Sequence, residues 1–128
     1  MPSKSENPYS ALKRVFHEPS RLAILSALIT AGEGLTFQQL KQECDLTDGN
    51  LSRHLKTLEE AGVIQIEKRF VGNKPQTRVI LTELGKENFL EYLKALEEVL
   101  RKAAEGFATQ EKEEKLPLNI LGLKLQQI

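Results

Sequence analysis

The segment Leu51-Ser-Arg-His-Leu-Lys-Thr-Leu-Glu-Glu-Ala-Gly62 runs directly into Val63-Ile-Gln-Ile-Glu-Lys-Arg-Phe70, and the spacing of apolar residues changes at this junction. Leu51, Leu55 and Leu58 recur at the three- and four-residue spacing of one helix face. Beyond the junction, apolar and polar residues alternate at a period near two, as they do in a half-buried strand. The segment therefore predicts a helix that is followed at once by a strand.

Three helices are predicted up to this junction. Pro19 suits the first turn of a helix over 19–31, whose apolar stripe stops at Gly32. Thr36 follows a brief extended piece and can cap a second helix over Phe37–Cys44, and Thr47 can cap the third. Two helices joined by a three-residue turn make a helix-turn-helix.

A hairpin and a long helix are predicted after the junction. Residues 63–70 and 76–82 flank the turn-forming segment 71–75, Val-Gly-Asn-Lys-Pro, so we expect a β-hairpin with an exposed tip. Thr82 then caps a helix that runs to about Phe107. The fold class is mainly α with a small β-hairpin, an α+β arrangement.

The length and charge of the chain fit one domain with a local basic region. The 128 residues carry 18 Lys/Arg and 18 Asp/Glu, so net charge alone indicates no nucleic-acid partner. Residues 53–78, however, hold six Lys/Arg against three Asp/Glu. A basic surface is therefore expected on the third helix and the hairpin.

Several classes of protein are disfavoured by the sequence. The polar start lacks the apolar core of a signal peptide, and no apolar run is long enough to span a bilayer, so we expect a cytoplasmic protein with no membrane partner. The single Cys44 cannot form an internal disulfide or a four-cysteine zinc site. Without a phosphate-binding loop, metalloprotease helix or nucleophile elbow, we expect no enzyme, cofactor or metal site.

Three strings together resemble winged-helix regulators of the MarR and ArsR type: Pro19-Ser-Arg-Leu-Ala-Ile-Leu25, the segment 51–62, and Leu81-Thr-Glu-Leu-Gly85. The resemblance covers roughly residues 10–105. It implies a transcriptional regulator, most often a repressor, that binds double-stranded DNA as a homodimer. It also implies that the third helix lies in the major groove and the hairpin, or wing, reaches the backbone or minor groove. The paired cysteines with which ArsR-type proteins often sense metals are not matched at Cys44.

The third helix carries the residues best suited to reading DNA. If its leucines point inward, the opposite face presents Gly49, Arg53 and Lys56, flanked by Asn50 and Ser52. Arginine can donate two hydrogen bonds to guanine, and asparagine can pair with adenine. Glycine would permit a close approach to the backbone of DNA. The same basic residues could also be ordinary solvated residues of an amphipathic helix.

Basic side chains in the hairpin complete the predicted surface, because narrow minor grooves attract cations. The complete predicted DNA-binding set is Thr36, Thr47, Gly49, Asn50, Ser52, Arg53, Lys56, Lys68, Arg69, Asn73, Lys74 and Arg78.

The long helix carries a second apolar pattern, spaced alternately four and three residues apart, which predicts a dimer interface. Packing against the first helix of the same chain is the alternative. The predicted interface residues are Phe89, Leu93, Leu96, Leu100, Ala103 and Phe107. The predicted organisation is a flexible start at 1–9, a winged-helix domain at 10–82 with a short helix over 10–16, a dimerisation helix at 83–110 and an apolar tail at 111–128. The tail is expected to dock on the dimer or on a partner.

Other interpretations remain open from the sequence. The chain could be a winged-helix protein-interaction module without DNA binding, although such a module has no need of Arg53 and Lys56. Cys44 is interpreted as a small buried hydrophobe, with a thiol sensor as the alternative. His54 is interpreted as a histidine at the margin of the apolar face, bonded to backbone or phosphate. An effector molecule cannot be identified.

Overall fold

The computed structural model describes residues 14–110, which form four helices and a three-stranded sheet. The elements are α1 (Pro19–Ala31), β1 (Leu35–Thr36), α2 (Phe37–Cys44), α3 (Asp48–Glu60), β2 (Ile64–Val71), β3 (Lys74–Leu81) and α4 (Glu83–Gln110). The predicted α+β fold class is thereby confirmed. The chain divides into two compact units after Tyr92, and α4 contributes residues to both.

The predicted caps are present at the starts of the helices. The Thr36 hydroxyl accepts a hydrogen bond from the Gln39 backbone N–H at 3.1 Å, and the Gln39 side chain accepts one from the Thr36 backbone, which makes a complete capping box. The Thr47 hydroxyl accepts from the Asn50 backbone N–H at 3.1 Å. α1 is capped by the Glu18 carboxylate, which was not among the predicted caps.

The sheet is antiparallel in the order β1-β3-β2. Val71 pairs with Lys74, so the hairpin turn consists of Gly72 and Asn73 alone, and it is tighter than the predicted segment 71–75. Gly72, at φ 65°, supplies the positive φ that a two-residue hairpin turn requires. Pro75 lies within β3, outside the two residues of β3 that pair with β1. Proline has no backbone N–H to donate, and no described strand needs that donor at this position.

The core of the first unit lies between the first three helices and the inner face of the sheet. Its fully or almost fully buried aliphatic side chains are Ile24, Leu25, Leu28, Leu40, Leu51, Leu55, Leu58, Val63, Ile64 and Val79. These residues include the three leucines that the sequence placed on the inner face of α3. The helix-turn-helix is therefore held by one continuous apolar core.

An aromatic cluster extends this core to the first part of α4. The ring of Phe16 lies 5.7 Å from that of Phe89 and 5.5 Å from that of Tyr92. Phe89 is 1% exposed, so it is packed within its own chain. It is therefore not available to the dimer interface to which it was predicted to belong. The helix expected over 10–16 lies mostly outside the described residues, and its described end, Arg14–Phe16, forms a turn.

The junction between the sheet and α4 depends on close backbone contact. The Thr82 backbone N–H donates to the Val63 carbonyl at 3.0 Å, while the Thr82 hydroxyl caps α4 by accepting from the Gly85 N–H at 2.9 Å. A Cβ added at Gly85 would collide with the Val63 carbonyl oxygen. Glycine is therefore required at this position to bring α4 against the start of β2.

We predict that Gly85→Ala lowers the free energy of unfolding by about 1–3 kcal/mol or more, because backbone must move to admit the methyl group. Gly106→Ala is the matched control, since no described atom outside its own helical surroundings lies within 4 Å of the added Cβ. It should raise stability by roughly 0.5–1 kcal/mol through helix propensity. Urea denaturation of both variants measures the difference, and equal effects would contradict the proposed backbone contact.

Candidate nucleic-acid interface

α3 presents one polar face to solvent, because its leucines are buried on the other. Gly49, Asn50, Ser52, Arg53 and Lys56 are all exposed. A Cβ at Gly49 would meet no described atom within 4 Å outside its helical surroundings, so packing within the fold gives no reason for glycine there. The face therefore combines polar donors, two cations and an open stretch of backbone near the start of the helix.

Two of these side chains are already joined to each other. Arg53 Nη2 donates a hydrogen bond to Asn50 Oδ1 at 2.8 Å, one helical turn apart on the exposed surface. The sequence alone predicts two independent base readers, whereas the structure joins them. Their contact restrains the guanidinium before any ligand is bound, and Asn50 retains its amide N–H donors for other partners.

The turn between α2 and α3 is bridged by charge. Lys41 Nζ lies 2.9 Å from Asp48 Oδ1, which joins the last turn of α2 to the first turn of α3. Both groups are solvent-exposed, so the pair adds little to stability. Its effect is local: at the start of α3, the Asp48 carboxylate, which would repel a phosphate, is partly neutralised.

The predicted threonines serve mainly as caps. The Thr36 and Thr47 hydroxyls each accept a hydrogen bond from a backbone N–H of the helix that follows. Thr47 is exposed beside Asn50, whereas Thr36 is half-buried at the start of α2. Either hydroxyl still has its proton to donate to an external acceptor.

The basic residues of the wing are divided between the two faces of the hairpin. Residues paired across an antiparallel ladder share a face, and faces alternate along each strand. Arg69 and Lys74 therefore lie on one face with Arg78, which is half-buried and paired with Glu67. Lys68 lies on the other face, which continues from the core. Asn73 is exposed in the turn.

An exposed aromatic residue at the wing was not identified from the sequence. Phe70 is 72% exposed, shares a face with Lys68 and is paired with Pro75. Strand alternation indicates an inward position for this residue, but the hairpin extends beyond the core that would cover it. The wing thus offers an apolar ring among cations.

A buried polar contact behind α3 was also missed. His54 is 5% exposed, and its Nδ1 accepts a hydrogen bond from Arg21 Nη1 at 3.2 Å. The Glu18 carboxylate lies 3.9 Å from the same nitrogen. Burial lowers the pKa of His54, and the positive charges of Arg53 and Arg21 act in the same direction against Glu18. The predicted partner of His54, backbone or phosphate, is replaced by an arginine from α1, which only tertiary structure could reveal.

The second unit contains most of the predicted seam. Leu93 and Phe107 are 38% and 44% exposed, Ala103 is exposed, and Leu96 and Leu100 are half-buried. The apolar side chains that a dimer could cover are therefore present on the described part of α4. The predicted start at 1–9 and the predicted tail at 111–128 lie outside the described residues.

Residues 14–110 also contain one thiol. Cys44 is a half-buried free thiol, and burial together with the charge of Glu43 raises its pKa. No group of three or more His, Cys, Asp and Glu residues in this range could hold a metal ion. None of the described helices is both long enough and apolar enough to cross a membrane.

Comparisons with known proteins agree with this geometry. Residues 20–100, more than half of the chain, match the family described as winged helix DNA-binding domain. The uncharacterized protein MJ0432 of Methanocaldococcus jannaschii is 36% identical over 80 residues, which are 62% of this chain and 86% of that protein.

Solved structures show the same fold. A transcriptional regulator homologue from Pyrococcus horikoshii OT3 is 29% identical, with a TM-score of 0.69 over 77% of this chain and 97% of the other. A MarR-family transcriptional regulator from Silicibacter pomeroyi is similar in fold, with 21% identity and a TM-score of 0.55 over 84% of this chain and 71% of the other. The expected winged-helix fold and the resemblance to winged-helix transcriptional regulators are confirmed.

Proposed function

The chain belongs to the family of winged helix DNA-binding domains, and we propose on that premise that it binds a specific double-stranded DNA site as a homodimer and represses transcription. The family and its regulator homologues establish a DNA-binding regulator as the general class. The proposal adds three points to this class: the residues that read DNA, the homodimer, and repression. The alternative is a protein-interaction module, which a lack of DNA binding even at low salt would favour.

The exposed face of α3 is the observation that carries the proposal. Its base-reading candidates lie at the start of the helix, where helix-turn-helix proteins contact base edges. Arg53 is long enough to donate to guanine and is oriented by Asn50 at 2.8 Å. Because a restrained side chain loses less freedom on binding, this arrangement favours specific readout.

The wing supplies contacts that do not depend on sequence. Arg69 and Lys74 are exposed on one face of the hairpin, and Lys68 is exposed on the other. Such cations bind phosphates or a narrow minor groove, which adds affinity and salt dependence. We assign Lys74, beside the turn, to the outermost of these contacts.

A dimer supports the proposal because a twofold DNA site presents two equivalent half-sites to two recognition helices. The exposed side chains of Leu93 and Phe107 provide apolar surface that pairing of two copies could bury. Repression follows from occupancy, since a dimer bound across a promoter excludes other proteins from the same DNA.

We predict that Arg53→Ala weakens binding to the cognate site by about 1–3 kcal/mol and binding to unrelated DNA much less. Lys74→Ala should weaken binding to all sequences and reduce the salt dependence by about one phosphate contact. The cognate site is first obtained by selecting binders from random duplexes with purified protein. Equal losses on all DNA would contradict the role of Arg53, and no binding even at low salt would favour the interaction module.

Gly49→Ala separates DNA contact from folding. The added methyl group has free space in the protein, so we expect stability to rise by roughly 0.5–1 kcal/mol through helix propensity. We expect affinity for DNA to fall, because the methyl group would occupy the space between helix and groove. Gly106→Ala, which makes the same chemical change in α4, should leave affinity unchanged. Wild-type affinity in Gly49→Ala would place DNA away from the start of α3.

The dimer is tested by sedimentation at micromolar concentration, where we expect two copies of the chain. Leu93→Glu should shift the protein towards monomer, because charge in an apolar interface costs free energy. Lys94→Glu, at the adjacent exposed position of the same helix, is the control and should leave the dimer intact. A wild-type monomer would contradict the proposal.

A further inference from the structure

Arg21 makes an unusually complete set of contacts at the start of α1. Its Nε donates to the Val15 carbonyl at 2.7 Å, its Nη2 donates to the Arg14 carbonyl at 3.3 Å, and its Nη1 donates to His54 at 3.2 Å. The backbone N–H of Arg21 donates to Glu18 at 2.9 Å. The guanidinium is therefore fixed by the segment that precedes α1, and it holds one side chain of α3.

We infer that Arg21 and His54 are positioning residues for DNA recognition, since their hydrogen bond sets how α3 presents Asn50 and Arg53. The inference rests on the proposed function. Its observation is separate, however, because neither Arg21 nor His54 belongs to the exposed face that would contact DNA.

The position of His54 along α3 gives the contact its effect. His54 follows Arg53 directly and lies one turn after Asn50, the residue to which Arg53 is hydrogen-bonded. Burial of the leucine face of α3 fixes which side of the helix faces the core, and the contact with Arg21 adds to this restraint. A hydrogen bond is directional, so the contact with Arg21 restrains rotation of α3 about its own axis. A small rotation displaces a long side chain such as Arg53 by more than it displaces the helix.

The contact requires neutral imidazole. A guanidinium has only donors, so Nδ1 of His54 must accept, and the ring proton must lie on the other nitrogen. Protonation would place an N–H donor against the Arg21 guanidinium, beside the positive charge of Arg53. Among residues 14–110, Glu18 is the one acidic group within 4 Å of Nδ1, at 3.9 Å, and it would draw the protonated ring away from Arg21.

The sign of the pH dependence follows from the lowered pKa of His54. Above the ordinary value of 6.5 the ring is neutral in both folded and unfolded chains, so it adds no pH dependence. As the pH falls below that value, the unfolded chain takes up the proton first, and folded stability declines towards the lowered pKa. The folded ring stays neutral over this range, so we expect DNA affinity to decline only as the pH approaches the lowered pKa itself. The lowered pKa of Glu18 acts in a separate window, below its ordinary value of 4.5.

Two substitutions of His54 test the inference. His54→Asn places an amide oxygen near the former Nδ1, so it keeps an acceptor for Arg21 and cannot titrate. His54→Leu keeps apolar volume but removes the acceptor. At pH 7.5 we expect His54→Asn to bind the selected DNA site within about threefold of wild type, and His54→Leu to bind roughly tenfold or more weakly. Both are measured at temperatures where circular dichroism shows a folded protein.

The pH profile distinguishes positioning from general destabilisation. As the pH is lowered from 7.5 through the lowered pKa of His54, wild-type affinity should fall by more than that of His54→Asn. His17, which contacts the Tyr92 hydroxyl at 3.0 Å, is present in both proteins and cancels in the comparison. Equal affinity of His54→Leu and wild type, or an unchanged pH profile in His54→Asn, would overturn the inference.

A wild-type protein that binds no DNA would refute the proposed function, and amide hydrogen exchange then decides the inference alone. Exchange in α3 should be faster in His54→Leu than in His54→Asn, while exchange in the paired strands β2 and β3 stays the same. Equal exchange rates in α3 would overturn it.

Discussion

Burial of the leucine face of α3 is the constraint on which the rest of the structure depends. Leu51, Leu55 and Leu58 are at most 2% exposed, and together they close the core between the first three helices and the sheet. Because a helix has 3.6 residues per turn, burying these three positions leaves Asn50 and Arg53 outside. The candidate DNA-reading face is thus a consequence of how the core is packed.

The wing is placed relative to α3 by the same principle of close packing. Only three residues separate the end of α3 from the start of β2, and Thr82 joins the far end of the hairpin to the Val63 carbonyl. Gly85 lets the first turn of α4 approach that carbonyl. The two candidate DNA-contacting elements consequently belong to one compact unit, and neither requires α4 beyond Tyr92 to be positioned.

Much of this architecture could be predicted from local signals. Thr36, Thr47 and Gly62 mark helix ends through hydrogen bonds or backbone conformations within a few residues, and the change of period at Val63 marks the first long strand. Pairs between distant segments could not be predicted in this way. Nothing local to His54 identifies Arg21, 33 residues earlier, as its partner. Phe89 fits the spacing of a dimer seam, but packing against Phe16 places it in the core.

The exposure of Phe70 could not be predicted either, because burial of a strand residue depends on what lies opposite its face. Its alternation with Ile66 and Lys68 is that of an inward residue, yet burial depends on whether a core lies opposite, and the hairpin extends past it. Periodicity reports which face a side chain shares, not whether anything covers that face. The wing tip is therefore a region where sequence pattern and environment diverge.

The absence of net charge gives the local contacts more weight. A chain with equal numbers of acidic and basic residues gains little long-range attraction to DNA, because steering depends on the summed field. Affinity for DNA then has to come from short-range contacts, which are lost when a side chain is misplaced. Pairing of Lys41 with Asp48 reduces repulsion at the start of α3, Asn50 restrains Arg53, and Arg21 is hydrogen-bonded to His54 of α3. Under the proposed function, the orientation of a few side chains takes the place of the general positive charge that many DNA-binding proteins use.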